Sequence, residues 1–209
     1  MNGNELNQAV RGTLETFIGY ADELGELDQA LGDGDLGITV SLGAKAVDDA
    51  LEQLPESATP TEVVLACAKA FANANPSTMA ALVAGALLAG SRTWGDATSI
   101  EQEDVNRFAL AAAESISQRG KSQVGEKTIL DAMFPAAEAL QETEDGRLDA
   151  AIEAAQRGVD TSKALQSRRG RASWLQERSI GLQDPGATAF LRFLQSWKIA
   201  NSAEPRPED

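Results

Sequence analysis

Asp28-Gln29-Ala30-Leu31-Gly32-Asp33-Gly34-Asp35-Leu36-Gly37 packs three carboxylates and three glycines into ten residues of a chain otherwise patterned for helix. Apolar residues recur at three- and four-residue spacing on both sides of it, over 4–25 before and 38–54 after. The stretch therefore connects two amphipathic helices. Carboxylates held this close repel one another, so the loop costs free energy unless a cation neutralises it. Oxygen ligands with no His or Cys beside them suit a hard ion such as Mg2+ or Ca2+. The competing reading is an acidic, glycine-rich surface turn that binds nothing. An EF-hand does not fit, because the twelfth position counted from Asp33 is Ala44 rather than a bidentate Glu.

Working outward, the same periodicity recurs over 60–74, 77–94, 101–119, 127–142, 147–167 and 185–199, and no stretch alternates in the β-branched manner of a strand. The chain is 43% hydrophobic but only 5% aromatic, with Ala and Leu supplying much of the apolar content. That composition predicts an all-α protein. Its 209 residues suit one domain over 1–200, with a frayed tail over 201–209. Pro135 falls inside the sixth segment and is expected to kink it. In an eight-helix antiparallel up-and-down barrel or bundle, the connections after the first, third, fifth and seventh helices share one end. These are the unusual loops: the aspartate loop, Asn73 to Thr78, Arg119 to Lys127, and Arg168 to Asp184. The amino termini of the second, fourth, sixth and eighth helices point the same way, and their unpaired N–H groups make that end an expected anion site.

Charge and composition exclude several functions. A formal net charge of -14 argues against nucleic acid, whose binding needs a broad basic surface. The chain has no histidine, which removes phosphohistidine transfer, histidine-ligated zinc and any Ser-His or Cys-His nucleophile pair. The single cysteine, Cys67, has no partner for an internal disulfide, and its neighbours Ala66, Ala68 and Ala70 predict a buried structural thiol. Met1 to Leu6 lacks the basic and apolar parts of a secretory signal, which predicts a cytoplasmic protein. The longest apolar run, Met79 to Gly90, falls short of the ~20 residues that span a bilayer, so no membrane contact is expected.

Arg168 to Ala187 is the second candidate, with four of the chain's 18 basic residues and only two acidic ones. Either Arg171 or Arg178 can meet phosphate, or Arg178 can pair with Glu177 or Asp184 and brace the loop. Asp184-Pro185 reads as an N-cap followed by proline at the first helical position. Asn75-Pro76-Ser77-Thr78 has the same grammar, its hydroxyls serving phosphate or only a helix cap. Lys127 and Thr128 open the sixth segment, where Lys127 reads as a ligand-reaching cation or a solvated surface charge. Asp48-Asp49-Ala50-Leu51-Glu52 reads as the wet face of an amphipathic helix.

Four ordered motifs together resemble the L subunit, or nucleotide-binding domain, of bacterial dihydroxyacetone kinases. Leu27-Asp28 with Gly32-Asp33-Gly34-Asp35 is similar to its metal loop, and Gly125-Glu126-Lys127-Thr128-Ile129-Leu130-Asp131 to its second signature. Gly170-Arg171-Ala172-Ser173-Trp174-Leu175, Glu177-Arg178-Ser179-Ile180-Gly181 and Asp184-Pro185-Gly186-Ala187 are similar to its third. The resemblance implies an eight-helix barrel with a nucleotide and two Mg2+ ions at one end. It implies Asp28, Asp33 and Asp35 as the Mg2+ ligands, with Arg171 and Arg178 offsetting phosphate charge. Leu36, Gly37, Ile38, Thr39, Ser77, Thr78, Gly120, Ile129, Arg171, Asp184, Pro185 and Gly186 would line ADP or ATP. It further implies a separate K subunit that holds the ketose on its own histidine, and in some members a phosphohistidine protein of the phosphotransferase system that recharges bound ADP. A homodimer is compatible with the same reading. The chain departs from the family's usual pattern at Leu36, at Leu182 and over Asn75 to Met79, all at the nucleotide end. The rival functions are a nucleotide-sensing regulatory paralogue and an all-α, Mg2+-dependent diphosphate hydrolase or synthase.

Overall fold

Thr59-Pro60-Thr61-Glu62 shows how the helices of this protein begin. The Thr59 hydroxyl accepts from the Glu62 N–H at 3.2 Å, the Glu62 carboxylate accepts from the Thr59 N–H at 2.7 Å, and Pro60 takes a position where no N–H is needed. Asn2 and Glu5 repeat the reciprocal cap. The computed structural model describes residues 1–202. Among them are nine α-helices: α1 (Gly3–Phe17), α2 (Ala21–Leu31), α3 (Leu36–Glu52), α4 (Pro60–Ala74), α5 (Thr78–Ser91), α6 (Gln102–Gly120), α7 (Leu130–Glu142), α8 (Arg147–Ser162) and α9 (Pro185–Asn201). The only β pairing among the described residues is a single bridge between Asn2 and Ser99.

The expected first helix, 4–25, divides at a 3-10 turn over Ile18–Tyr20 and runs on to Leu31. Backbone angles stay helical at Phe17 and Ala21 and depart only at Tyr20 (φ -96°, ψ 4°), so α1 and α2 count as one rod with a turn in it, and nine helices make the eight rods expected. Each rod packs on its chain neighbours, and α9 closes the ring against α1 and α2. Two contacts hold that closure. Arg192 of α9 grips the Glu23 carboxylate of α2 with two N–H groups at 2.8 and 2.6 Å while its guanidinium lies over Tyr20, and Phe193 meets Phe17 edge to face. Inside the ring, one apolar cluster gathers Leu6, Val47, Leu51, Val63 and Trp94. A second is built mostly from alanines of α7, α8 and α9, whose small side chains let the helices approach closely. Cys67 is buried, and burial pushes its thiol up to about 12, as the alanine neighbours predicted.

Other boundaries move for local reasons. The sixth expected helix starts at Leu130 rather than 127, because Lys127 adopts a left-handed φ of 60°. The seventh stops at Ser162 rather than 167. Asn201, assigned to the frayed tail, ends α9 and donates to Trp197 O at 2.9 Å and Thr13 Oγ1 at 3.2 Å; residues 203–209 of that tail lie outside the described residues. The acidic run at the end of α3 is a surface face as expected, with Asp48 held by Arg11 at 2.6 Å. No described helix is long and apolar enough to cross a membrane.

Pro135 lies inside α7, and its missing N–H leaves the Asp131 carbonyl without a helical donor. Gly158 of α8 comes against that carbonyl, so closely that a Cβ would stand 1.9 Å from the oxygen. Gly158→Ala is therefore expected to cost about 3 kcal/mol and to lower Tm by roughly 6–12 °C. Gly19→Ala, which meets nothing within 4 Å, should leave Tm unchanged or higher. Thermal melts of the two variants check the α7–α8 contact.

Candidate metal centre

Asp28 sits in the last turn of α2, Asp35 immediately precedes α3, and the short connection between them carries Asp33. Gly34, at φ 76°, makes the turn that brings Asp33 and Asp35 back towards Asp28. One carboxylate oxygen from each of the three aspartates lies within 4.8 Å of the others. Ligands about 2.1–2.5 Å from a hard cation are at most roughly 4–5 Å apart, so this oxygen set matches Mg2+ or Ca2+ in both chemistry and span. Asp28 also accepts the Leu36 N–H at 3.3 Å, which ties it to the amino terminus of α3. Arg171 reaches in from the far end of the chain and pairs with Asp33.

Contacts among the unusual loops gather them at this end. Asn75 donates to Thr39 Oγ1 at 2.8 Å, joining the α4–α5 connection to α3. Glu126 accepts from the Arg168 N–H at 3.1 Å through its carbonyl and from Arg169 at 2.8 and 2.9 Å through its carboxylate. The Arg169 guanidinium holds the Glu126 carboxyl below its ordinary range. Ile129, just ahead of α7, packs against Gly186 in the first turn of α9, where a Cβ would come within 3.5 Å of it.

The other residues singled out from sequence divide by what they touch. Leu36 is buried among Phe17, Leu24, Val40 and Ala189 and faces the core rather than a ligand. Gly37 is likewise buried, where a Cβ would stand 2.2 Å from the Ala21 carbonyl, so its bare Cα lets α3 cross α2. Ile38 and Thr78 are exposed, whereas Thr39 is buried. Ser77 caps α5 by accepting the Ala80 N–H at 3.1 Å. Gly120 closes α6 ahead of the left-handed Lys121. Arg178 is exposed and pairs with neither Glu177 nor Asp184 among the described residues; Asp184 is instead buried as the cap of α9, accepting the Ala187 N–H at 2.7 Å, with Pro185 at the first position.

Lys127 differs most from expectation. It is neither a ligand-reaching cation nor a surface charge: it is 2% exposed, and its ammonium donates to the carbonyls of Leu165 at 3.1 Å, Ser179 at 2.7 Å and Leu182. Burial lowers its pKa, opposed by the charges of Asp184 and Asp131. The sequence shows the Glu-Lys-Thr run, but the left-handed turn that points Lys127 inward leaves no mark in composition or periodicity.

Residues 30–198 match the family model described as the DAK2 domain. The chain belongs to the DAK2 domain family. Among DAK2 relatives it is 36% identical over 164 residues to the Listeria innocua protein named PEP-dependent dihydroxyacetone kinase 1, ADP-binding subunit DhaL, covering 78% of this chain and 79% of that one. It is 28% identical to the corresponding Escherichia coli subunit over 89% of this chain and 91% of that one. The L-erythrulose 1-kinase of Mycolicibacterium smegmatis is longer: a 31% identical match covers 92% of this chain but 35% of that protein. A crystal structure of C. freundii dihydroxyacetone kinase in complex with AMP-PNP and Mg2+ superposes on the DAK2 chain with a TM-score of 0.72 at 22% identity, over 96% of this chain and 34% of that one. At that identity the likeness establishes the fold.

Asp184 makes the DAK2 site end sensitive to pH. Burial, with repulsion from Asp131, pushes its carboxyl from the ordinary 3.8 up to about 6, against the pull of the Ala187 N–H and Lys127. A raised carboxyl pKa in the folded chain stabilises it fully below about pH 4, and that contribution is lost as pH rises through 6. Asp184→Asn keeps a good N-cap and removes the titration. Urea unfolding should therefore show the stability of the Asn variant rising relative to wild type between pH 4 and pH 7; a difference that does not change with pH rejects the assignment.

Proposed function

We propose that this chain is the nucleotide-binding, phosphoryl-donor subunit of a kinase acting on dihydroxyacetone or a related short ketose. The convergence of Asp28, Asp33 and Asp35 within 4.8 Å carries the reading, because three carboxylates with no histidine or cysteine beside them suit a hard cation. The ADP-binding subunits of dihydroxyacetone kinases from Listeria innocua, Escherichia coli and Lactococcus lactis, among the relatives, support it. Residues 1–200 would act as one unit.

In this reading Asp28, Asp33 and Asp35 hold two Mg2+ ions. Bound there, Mg2+ supplies the positive charge that lets a polyphosphate approach three carboxylates. The amino termini of α3, α5, α7 and α9 offer N–H groups to the phosphates of ADP or ATP. Arg171 stands beside Asp33 and offsets phosphate charge, joined by Arg178 from the same segment. Gly37, Thr39, Gly120, Ile129 and Asp184 to Gly186 line the nucleotide, and buried Leu36 shapes the site from behind. Phosphoryl transfer of this kind rests on positioning and electrostatics, so a chain without histidine can serve as donor. The acceptor hydroxyl would come from ketose held on a cytoplasmic K subunit, and spent ADP would be exchanged for ATP or recharged by a phosphohistidine protein of the phosphotransferase system.

Mass and metal analysis of the purified chain, with calorimetric titration of Mg-ADP, tests the reading. The expected result is one nucleotide and about two Mg2+ per chain. Asp33→Asn should weaken Mg-ADP binding by at least about tenfold and abolish phosphoryl transfer in the reconstituted kinase. A wild-type chain that binds no nucleotide at millimolar Mg2+ overturns the proposal.

A further inference from the structure

The segment from Lys163 to Gln183 is a strap across the site end, and apolar burial does not hold it there. Its only buried residues are Ser167 and Ser179, all four of its arginines are exposed, and none of the four apolar clusters includes any part of it. Most of its middle, Arg171–Ser179, is 3-10 turn broken at Gln176, where φ is 51°. Such geometry is too short and irregular to be stable by itself. Polar anchors must therefore fix where the strap lies.

Its anchors into the ring of helices centre on two consecutive residues. Glu126 takes the Arg168 N–H and the Arg169 guanidinium near the start of the exposed stretch. Lys127 takes carbonyls at both ends: Leu165 before the 3-10 turns, Ser179 at their close and Leu182 just ahead of α9. An ammonium has three protons, and all three are used on one segment. The charged groups facing it are Asp131 of α7 and Asp184, the cap of α9. Burying a cation costs free energy that an apolar side chain of the same length would avoid, so its return lies in directing three carbonyls to one point. Between those carbonyls sits Arg171, whose guanidinium meets Asp33.

We propose that Lys127 is a positioning residue: it latches the 163–183 strap in the register that sets Arg171 against the aspartate loop. Its three ammonium hydrogen bonds all go to strap carbonyls, so it acts through the strap's arginines, Arg171 above all. The proposal rests on the kinase-subunit reading for its consequence in binding, while the latch itself can be tested without a ligand.

Limited trypsin digestion of the full chain reads the latch directly. In Lys127→Met, cleavage after Arg168, Arg169, Arg171 and Arg178 should accelerate by at least about tenfold, because proteolysis follows the population of the open strap. Cleavage at the exposed helical residues Lys45, Lys69 and Arg157, and the helical circular dichroism, should stay at wild-type values. Lys127→Gln, which keeps a donor without the charge, should fall between wild type and Lys127→Met. Unchanged strap cleavage, or loss of helix throughout the chain in both variants, overturns the latch. The route through Arg171 is read in Mg-ADP affinity. Lys127→Met should weaken binding on its own, yet added to Arg171→Ala with Arg178→Ala it should weaken binding no further than those two arginine changes do together. Losses that still add on that background overturn the positioning role. A wild-type chain that binds no nucleotide overturns the proposed function instead, and the digestion pattern still decides the latch.

Discussion

Three carboxylates brought within 4.8 Å of one another on a chain of net charge -14 repel, and the site end of this protein is arranged around containing that repulsion. The containment is geometric first. Asp28 is fixed in the last turn of α2, Asp35 stands just before α3, and the Leu36 N–H donates to the Asp28 carboxylate. It is electrostatic second, since α3 turns its positive end towards the loop and Arg171 pairs with Asp33. The need for Arg171 in turn explains why an exposed, weakly packed segment from the far end of the chain is tied across the opening.

A closed ring of helical rods suits such a site because it separates two tasks. The walls and the plain turns at one end carry stability, through apolar clusters, reciprocal caps and close helix crossings at small residues. The other end gathers the aspartate loop, Arg171 and the starts of α3 and α9. The two tasks meet at Asp184 and Lys127. Asp184 caps α9, a structural duty, yet its buried carboxyl near Lys127 and Asp131 makes that cap responsive to pH. Lys127 belongs to the ring by sequence position and to the strap by its hydrogen bonds.

Much of this was legible in the residues, unevenly and for definite reasons. Periodicity located the rods because burial of one helical face leaves a repeat in the chain, and Asp184-Pro185 announced its cap because the cap is made by those residues alone. The three aspartates could be grouped from their spacing, since the turn that joins them is local. Apolar periodicity ends the first helix at 25, whereas helical hydrogen bonding continues to Leu31. The family resemblance puts Leu36 at the nucleotide, but its side chain turns to the core with Phe17 and Val40. Sequence neighbours of a site residue share its backbone, not its direction.

The sequence by itself determined the all-helical class, the caps that start α4 and α9, and the gathering of three carboxylates in one short loop, because each depends on interactions between residues a few positions apart. Only the tertiary structure decided which distant groups answer them. That Arg171 reaches Asp33, that Arg192 closes the ring on Glu23, and that Lys127 turns inward to three carbonyls depend on which segments the packed rods bring together. A buried ammonium and a solvated one are the same letter in a chain; their difference lies in the carbonyls that surround one of them, and those arrive only when the fold is complete.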